Sequence, residues 1–153
     1  MTDGKIALIF TPLIISFLAS KFFGRVDSKN YIKASFQPPG YVFMFVWTAL
    51  YLMFGFLLYR AVEIEDYVIL GLVIGTLLLT YLWIYTFNSL KNYSLSTFVI
   101  FLTLLIALEL LVALLNRNWE EIYLYTYTPF VAWIIFALLL SSFTKPKKIT
   151  NIK

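Results

Sequence analysis

The sequence of 153 residues contains no cysteine and no histidine, and charged residues make up only 13% of it. The absence of cysteine excludes disulfide bonds and thiolate metal sites. The absence of histidine removes a common ligand of zinc and haem, and also the usual acid–base group near neutral pH. The sequence therefore predicts no metal site. An average soluble domain has about 25% charged residues, so the low charge argues against a soluble protein.

Apolar residues dominate instead, at 61% of the chain. A soluble fold of this size could not bury so much apolar surface, whereas a lipid bilayer solvates it. Five uniformly apolar segments are each long enough to cross the hydrocarbon core as a helix, which takes about 20 residues. Uniform rather than alternating hydrophobicity favours helices over a β-barrel. The predicted fold is an all-α integral membrane bundle, a single domain over residues 1–153, with spans at residues 6–23, 41–60, 67–87, 94–115 and 122–143.

The basic residues are divided unevenly between the two ends of such a bundle. Span one has some features of a signal peptide, but its length and weakly basic start favour a membrane span, and five spans place the termini on opposite sides. The side with the loop 24–40 and the polar tail 144–153 has Lys21, Arg25, Lys29, Lys33, Lys91, Lys145, Lys147, Lys148 and Lys153, and the other side has Lys5, Arg60 and Arg117. The positive-inside rule therefore predicts a cytosolic loop and C-terminus, with the N-terminus opposite. Membrane topology explains the net charge of +4 better than nucleic-acid binding does.

The most informative segment joins the long loop to span two. It reads SFQPPGYVF at residues 35–43 and WTALY at residues 47–51. Pro38 keeps the preceding residue extended, and Pro39 presets a helical φ at a helix start, where a missing N–H costs little. Trp47 and Tyr51 are four residues apart and share one helix face. The two prolines thus determine how the loop enters span two.

This segment resembles the signature of the translocator protein / tryptophan-rich sensory protein family, which includes the peripheral-type benzodiazepine receptor. That signature reads F-x-P-P-G-W-V-F, followed by W-T-x-L-Y. Phe87-Asn88 at the end of span three matches the family as well, and PFVAWIIFA at residues 129–137 is similar to its P-Y-x-x-W-x-x-F-A. The chain departs from the family pattern at Ala34, where the family has Pro, at Lys91, where it has Trp, and at Ser141, where it has Asn.

The resemblance implies a five-helix bundle with a central pocket beneath the first loop. Such pockets bind porphyrins, haem-like tetrapyrroles, isoquinoline carboxamides or benzodiazepines, and they require no cofactor. The match places Trp47, Asn88, Trp133 and Ala137 in the pocket, with Phe43, Tyr51, Pro38 and Pro39 as further ligand-binding candidates. Indole faces stack on planar ligands, and an amide in an apolar pocket orients them. The alternative for both tryptophans is interhelical packing or an interfacial aromatic belt.

Three functions remain open at this point. The first is a membrane sensor, scavenger or carrier of lipophilic ligands, in a bacterial envelope or the mitochondrial outer membrane. The second is light- and oxygen-dependent breakdown of porphyrins, with Trp47 and Trp133 as catalytic candidates. The third is a structural or partner-binding protein that retains only the fold. The sequence has no phosphate-binding glycine loop and no nucleophile–base pair, so hydrolytic and nucleotide-driven reactions have no support.

The loop charges Arg25, Lys29 and Lys33 have two interpretations of equal weight. They are expected either to attract the carboxylates of a porphyrin, together with the positive end of the span-two helix dipole, or only to hold the loop in the cytosol. Glu109 lies roughly 7 Å from the middle of span four. A carboxylate at that depth is expected to face the bundle, become protonated or find a polar partner, unless its side chain reaches the interface.

A Gly-x-x-x-Gly pattern in span three, formed by Gly71 and Gly75, allows close approach of another helix. The resemblance implies a homodimer through span three, and packing within the chain explains the pattern equally well. Residues 82–91 formally fit a proposed cholesterol motif, but that motif is too permissive to support sterol binding.

Overall fold

The structure is a computed structural model that describes residues 3–24, 31–117 and 119–147. Its helices are α1 (Asp3–Phe22), α2 (Gly40–Glu63), α3 (Tyr67–Ile84), α4 (Tyr93–Asn116) and α5 (Glu121–Phe143), and a π-helical turn (Tyr85–Ser89) continues α3. All five helices are long and apolar enough to cross a membrane. This confirms the predicted all-α membrane bundle of five helices.

The helix ends follow from local sequence signals. Helix α2 begins directly after Pro39, whose φ of −57° and ψ of 150° end the loop in an extended conformation. Helix α3 begins at the N-cap Asp66, which accepts a hydrogen bond from the backbone N–H of Ile69 at 3.2 Å. Asn92 caps α4 in the same way, accepting from Leu95 N–H at 3.0 Å. These caps satisfy backbone N–H groups that have no partner within the helix.

Helix α1 contacts α2 and α3, α2 also contacts α3 and α5, and α4 contacts α3 and α5. Helix α1 lies closest to α2, because a Cβ on Gly55 would overlap the backbone carbonyl of Ile9. The core is formed mainly by α2 to α5, where Phe54 contacts Phe130 with ring centroids 4.7 Å apart. The absence of a side chain at Gly55 thus allows α1 to pack on this core backbone to backbone.

Ion pairs hold together the end of the bundle that contains the α2–α3 and α4–α5 turns. This end is called the clamped end. Arg60 Nη2 contacts Glu120 Oε1 at 2.5 Å, and Arg117 Nη1 contacts Asp66 Oδ1 at 3.1 Å. Trp119 Nε1 donates to Asp66 Oδ2 at 3.1 Å. These contacts join α2 to α5 and the α2–α3 turn to the α4–α5 turn. Distant parts of the sequence are therefore tied together at this end.

At the opposite end, the long first loop pairs with the C-terminal tail. Strand β1 (Tyr31–Ile32) forms an antiparallel ladder with β2 (Lys145–Pro146), with Tyr31 opposite Pro146 and Ile32 opposite Lys145. Both segments belong to the predicted non-helical loop and tail, and no sequence feature predicts this pairing. The ladder places the loop and the tail at the same end of the bundle, as the predicted topology requires. Their cytosolic orientation stays a prediction.

Two sequence features take unexpected positions in the helices. Glu109 is exposed on the outer surface of α4, and within the described part of the chain it has no hydrogen-bond or ion-pair partner. Of the alternatives for Glu109, the structure thus excludes a side chain that faces the bundle, since Ala107 and Leu110 occupy the buried face of α4. A Cβ on Gly75 would lie 2.7 Å from Ile106 Cδ1 of α4, whereas Gly71 faces open space. Gly75 thus serves packing within the chain, and a homodimer stays a prediction.

Candidate ligand cavity

A cavity of about 310 Å³ lies between α2, α3, α4 and α5 at the end covered by the first loop. No described residue of α1 lines it. The helices contribute Gly40, Phe43, Trp47, Thr80, Trp83, Phe87, Ile100, Thr103, Trp133, Ile134, Ala137, Leu140 and Ser141, and the loop and tail contribute Tyr31, Lys33, Gln37 and Thr144. The cavity is thus walled by four helices and partly covered by the non-helical segments at this end.

Helical periodicity explains why these side chains converge. Phe43 and Trp47 are four residues apart on α2, and so are Trp133 and Ala137 on α5. Residues at i and i+4 lie on one face of a helix. Each of these pairs therefore presents two neighbouring side chains to the same space. Together they account for four of the positions that the family resemblance implies.

Three of the four tryptophans of the chain line the cavity. Trp47 of α2 stacks on Trp83 of α3, with ring centroids 6.0 Å apart and planes 19° apart. Trp133 of α5 contacts Phe43 edge to face, with centroids 5.4 Å apart. Aromatic pairs in these geometries stabilise the wall beyond their buried area. The cavity thus has indole rings from three different helices, which matches a planar aromatic ligand.

The polar groups of the wall are few and differ in their bonding. Thr80 Oγ1 donates to the backbone carbonyl of Thr76 at 2.9 Å, and Thr103 Oγ1 donates to that of Val99 at 2.8 Å. Each hydroxyl oxygen retains lone pairs that can accept a hydrogen bond. Among the described residues, the indole N–H groups of Trp83 and Trp133 have no hydrogen-bond partner, and both are buried. These N–H groups are therefore not accessible from the cavity.

The roof is formed by the described end of the first loop. Tyr31 is only 3% exposed, and its ring contacts Phe87 and Tyr93 with centroids 5.3 and 5.7 Å away. Gln37 Nε2 donates to the Tyr31 hydroxyl at 3.4 Å. Phe36 packs against Phe143 of α5, with centroids 5.6 Å apart. The loop is therefore packed onto α3, α4 and α5 rather than suspended above them.

Four of the predicted ligand-binding residues lie outside the cavity wall, namely Asn88, Tyr51, Pro38 and Pro39. Asn88 Nδ2 donates to the carbonyl of Gly24 at 2.8 Å, while its Oδ1 is buried without a partner. Asn88 lies in the π-helical turn, whose wider winding changes the direction of the side chains that follow Trp83. Tyr51 stacks on Tyr81, deeper between the helices, with centroids 5.9 Å apart. The prolines shape the entry into α2 but do not line the cavity.

The loop charges are only partly described. Lys33 lines the cavity, whereas Arg25 and Lys29 lie outside the described residues. Ser141, one of the departures from the family pattern, also lines the cavity, and its hydroxyl is 2.6 Å from that of Thr97 on α4. That hydrogen bond joins α4 and α5 near the roof.

Sequence reasoning missed Trp83 and the threonines Thr80 and Thr103. A signal for Trp83 and Thr80 was present, because Thr80, Trp83 and Phe87 follow one another at spacings of three and four residues. This spacing places polar and aromatic side chains on one helix face. Thr103 has no such companion pattern and is recognised only from the structure.

Five membrane-spanning helices, four of which surround an aromatic cavity, define a multi-pass integral membrane protein. A model of the TspO/MBR family matches residues 8–144, so the chain belongs to this family. The match extends over all five helices and confirms the resemblance of the segments at residues 35–51 and 129–137. Family membership supports a role as a membrane sensor or translocator. No curated protein matches the chain.

Proposed function

We propose that the protein binds tetrapyrroles or related planar lipophilic molecules in the cavity and acts as their sensor or carrier in the membrane. The observation that supports this most directly is the group of three cavity tryptophans, Trp47, Trp83 and Trp133, beneath a packed roof. A mostly apolar cavity with a few polar groups is typical of small-molecule sites. Membership of the TspO/MBR family supports the same function.

The hydroxyl groups of the wall indicate which ligand chemistry fits. Thr80 and Thr103 line the cavity, and each hydroxyl oxygen can accept a hydrogen bond from a ligand N–H, such as that of a pyrrole ring. Isoquinoline carboxamides and benzodiazepines are smaller aromatic ligands that can stack on the indole faces. The volume of about 310 Å³ lies at the lower end of the range for drug-sized ligands, roughly 300–1,000 Å³. A four-ring macrocycle is larger, and its binding would require movement of the roof.

Titration of the purified protein with protoporphyrin in darkness tests this proposal through quenching of tryptophan fluorescence. Trp47→Phe is expected to weaken binding about tenfold, because it removes an indole face from the wall. Trp119→Phe is the matched control, since it also removes one tryptophan, but at the clamped end. Absence of quenching, or equal binding by both variants, would contradict the proposed site.

A second candidate function is light- and oxygen-dependent breakdown of the porphyrin. The observation in its favour is that Trp47 and Trp133 line the same cavity, so two oxidisable indoles would lie close to a bound photosensitiser. Illumination of the same titrated samples separates the two functions. Loss of the porphyrin spectrum that is abolished by Trp47→Phe supports breakdown, and an unchanged spectrum supports binding alone.

A further inference from the structure

The tail and the loop meet at the mouth of the cavity. Tyr31 in β1 and Thr144, immediately before β2, both line the cavity. The register of the ladder, Ile32 opposite Lys145, places the paired strands directly beside these two lining residues. The ladder is therefore part of the structure that covers the cavity, and not a remote contact between chain ends.

The roof is attached to the bundle on two sides. On the α3 side, Asn88 and Ser89 donate hydrogen bonds to the carbonyls of Gly24 and Phe23 at 2.8 and 3.1 Å. On the α5 side, β2 follows directly from the helix through Thr144, whose N–H bonds to Ser141. The first attachment holds the start of the loop. The second holds its middle through backbone pairing.

We propose that residues 145–146 act as a strap that holds the first loop over the cavity and limits the rate at which ligands enter and leave. The proposal rests on the proposed function and adds a mechanism of access to the same site. A ladder of two residues has few hydrogen bonds, and Pro146 supplies no N–H. It can therefore open without disturbing the ion pairs at the clamped end, which are at the other end of the bundle.

Opening of the strap would release the roof and leave the helices in place. Without β2, residues 31–37, the described middle of the loop, are held by side-chain contacts, chiefly the Tyr31 ring on Phe87 and Tyr93 and the Phe36 ring on α5. Ring contacts of this kind do not fix the path of the backbone, whereas the hydrogen bonds of a ladder do. Residues 31–39 would then lift from the cavity, while α2 to α5 keep their positions around it.

A labelling experiment tests the strap without any ligand. The chain has no cysteine, so Ala137→Cys places a single thiol in the cavity wall. Its reaction with a small water-soluble thiol reagent is compared in three lengths of the chain: complete, ending at Lys147, and ending at Thr144. The chain ending at Lys147 is the matched control, because it keeps β2. We expect labelling about tenfold faster only in the chain that ends at Thr144, and equal rates in all three would overturn the proposal.

A reversible crosslink provides a second test that leaves the chain complete. Opposite residues of an antiparallel ladder have Cα atoms about 4.5–5.5 Å apart, within the range of about 4.4–6.8 Å that a disulfide spans. Ile32→Cys with Lys145→Cys should therefore form a disulfide that locks the strap. Oxidised protein is expected to release bound protoporphyrin about tenfold more slowly than the same protein after reduction. Equal release rates would overturn the strap, whereas failure of protoporphyrin to bind in either state would contradict the proposed function and leave the labelling result to decide.

Discussion

Trp47 and Trp83 stack nearly parallel across the boundary between α2 and α3, with ring planes 19° apart. Trp47 also contacts Tyr51, and Tyr51 stacks on Tyr81, so the two cavity indoles continue as a row of rings into the bundle. The Tyr81 hydroxyl donates to the carbonyl of Pro12 in α1 at 2.8 Å. The cavity wall is thus supported by rings that reach across three helices.

Trp83→Ala is expected to weaken protoporphyrin binding at least as much as Trp47→Phe does, by about tenfold or more. The substitution removes both a face of the wall and the ring on which Trp47 stacks. Fluorescence titration in darkness measures the effect, and Trp83→Phe should restore part of the affinity. Unchanged affinity in Trp83→Ala would show that the ligand does not contact this wall.

Lys33→Gln is expected to weaken binding of a dicarboxylic porphyrin several-fold, because an exposed ion pair contributes about 0–1 kcal/mol. The dimethyl ester of the same porphyrin has no carboxylate and should bind both proteins equally. Lys91→Gln is the matched protein control, since Lys91 follows α3 without lining the cavity. Equal affinities of wild type and Lys33→Gln for the diacid would mean that Lys33 contributes to membrane topology and not to ligand binding.

Gly55→Ala is expected to destabilise the bundle by about 1–3 kcal/mol, because the added Cβ would overlap the backbone of Ile9 and push α1 away from α2. Gly71→Ala is the control, since a Cβ there meets open space. Replacement of a helical glycine by alanine stabilises a helix by about 1 kcal/mol. Thermal unfolding in detergent should therefore shift in opposite directions for the two variants.

Acid should destabilise the clamped end through Asp66. Burial raises the pKa of this carboxyl, but hydrogen bonds from Trp119 and the Ile69 N–H and the charge of Arg117 outweigh it, and the pKa is lowered overall. Because the pKa is lower in the folded state, the ionised carboxyl stabilises the folded protein. This contribution has its full value above the unfolded pKa of about 4. This stability is lost as the pH falls through the folded value.

Asp66→Asn tests this pH dependence. It should cost about 1–3 kcal/mol at neutral pH, and the variant should lose less stability than wild type between about pH 5 and pH 2. Thermal unfolding across this range provides the measurement. Parallel curves for the two proteins would mean that Asp66 does not titrate with unfolding.

Much of this fold was readable from local sequence. The five spans follow from the length of each apolar segment, and the start of α2 follows from Pro39. Periodicity and the family resemblance also select Phe43, Trp47, Trp133 and Ala137, which lie on the cavity wall. Local rules did not predict the π-helical turn that contains Asn88, because such a turn has no obvious sequence signal.

The sequence by itself determined that the chain lies in a membrane as five helices, because hydropathy and helix length depend only on neighbouring residues. The tertiary structure alone decided which rings share the cavity, that Trp83 belongs to it, and that the tail closes over the loop. Pairing of Ile32 with Lys145 joins residues far apart in the chain. Strands of two residues have no periodicity to reveal them, so only the packing of the helices brings them together.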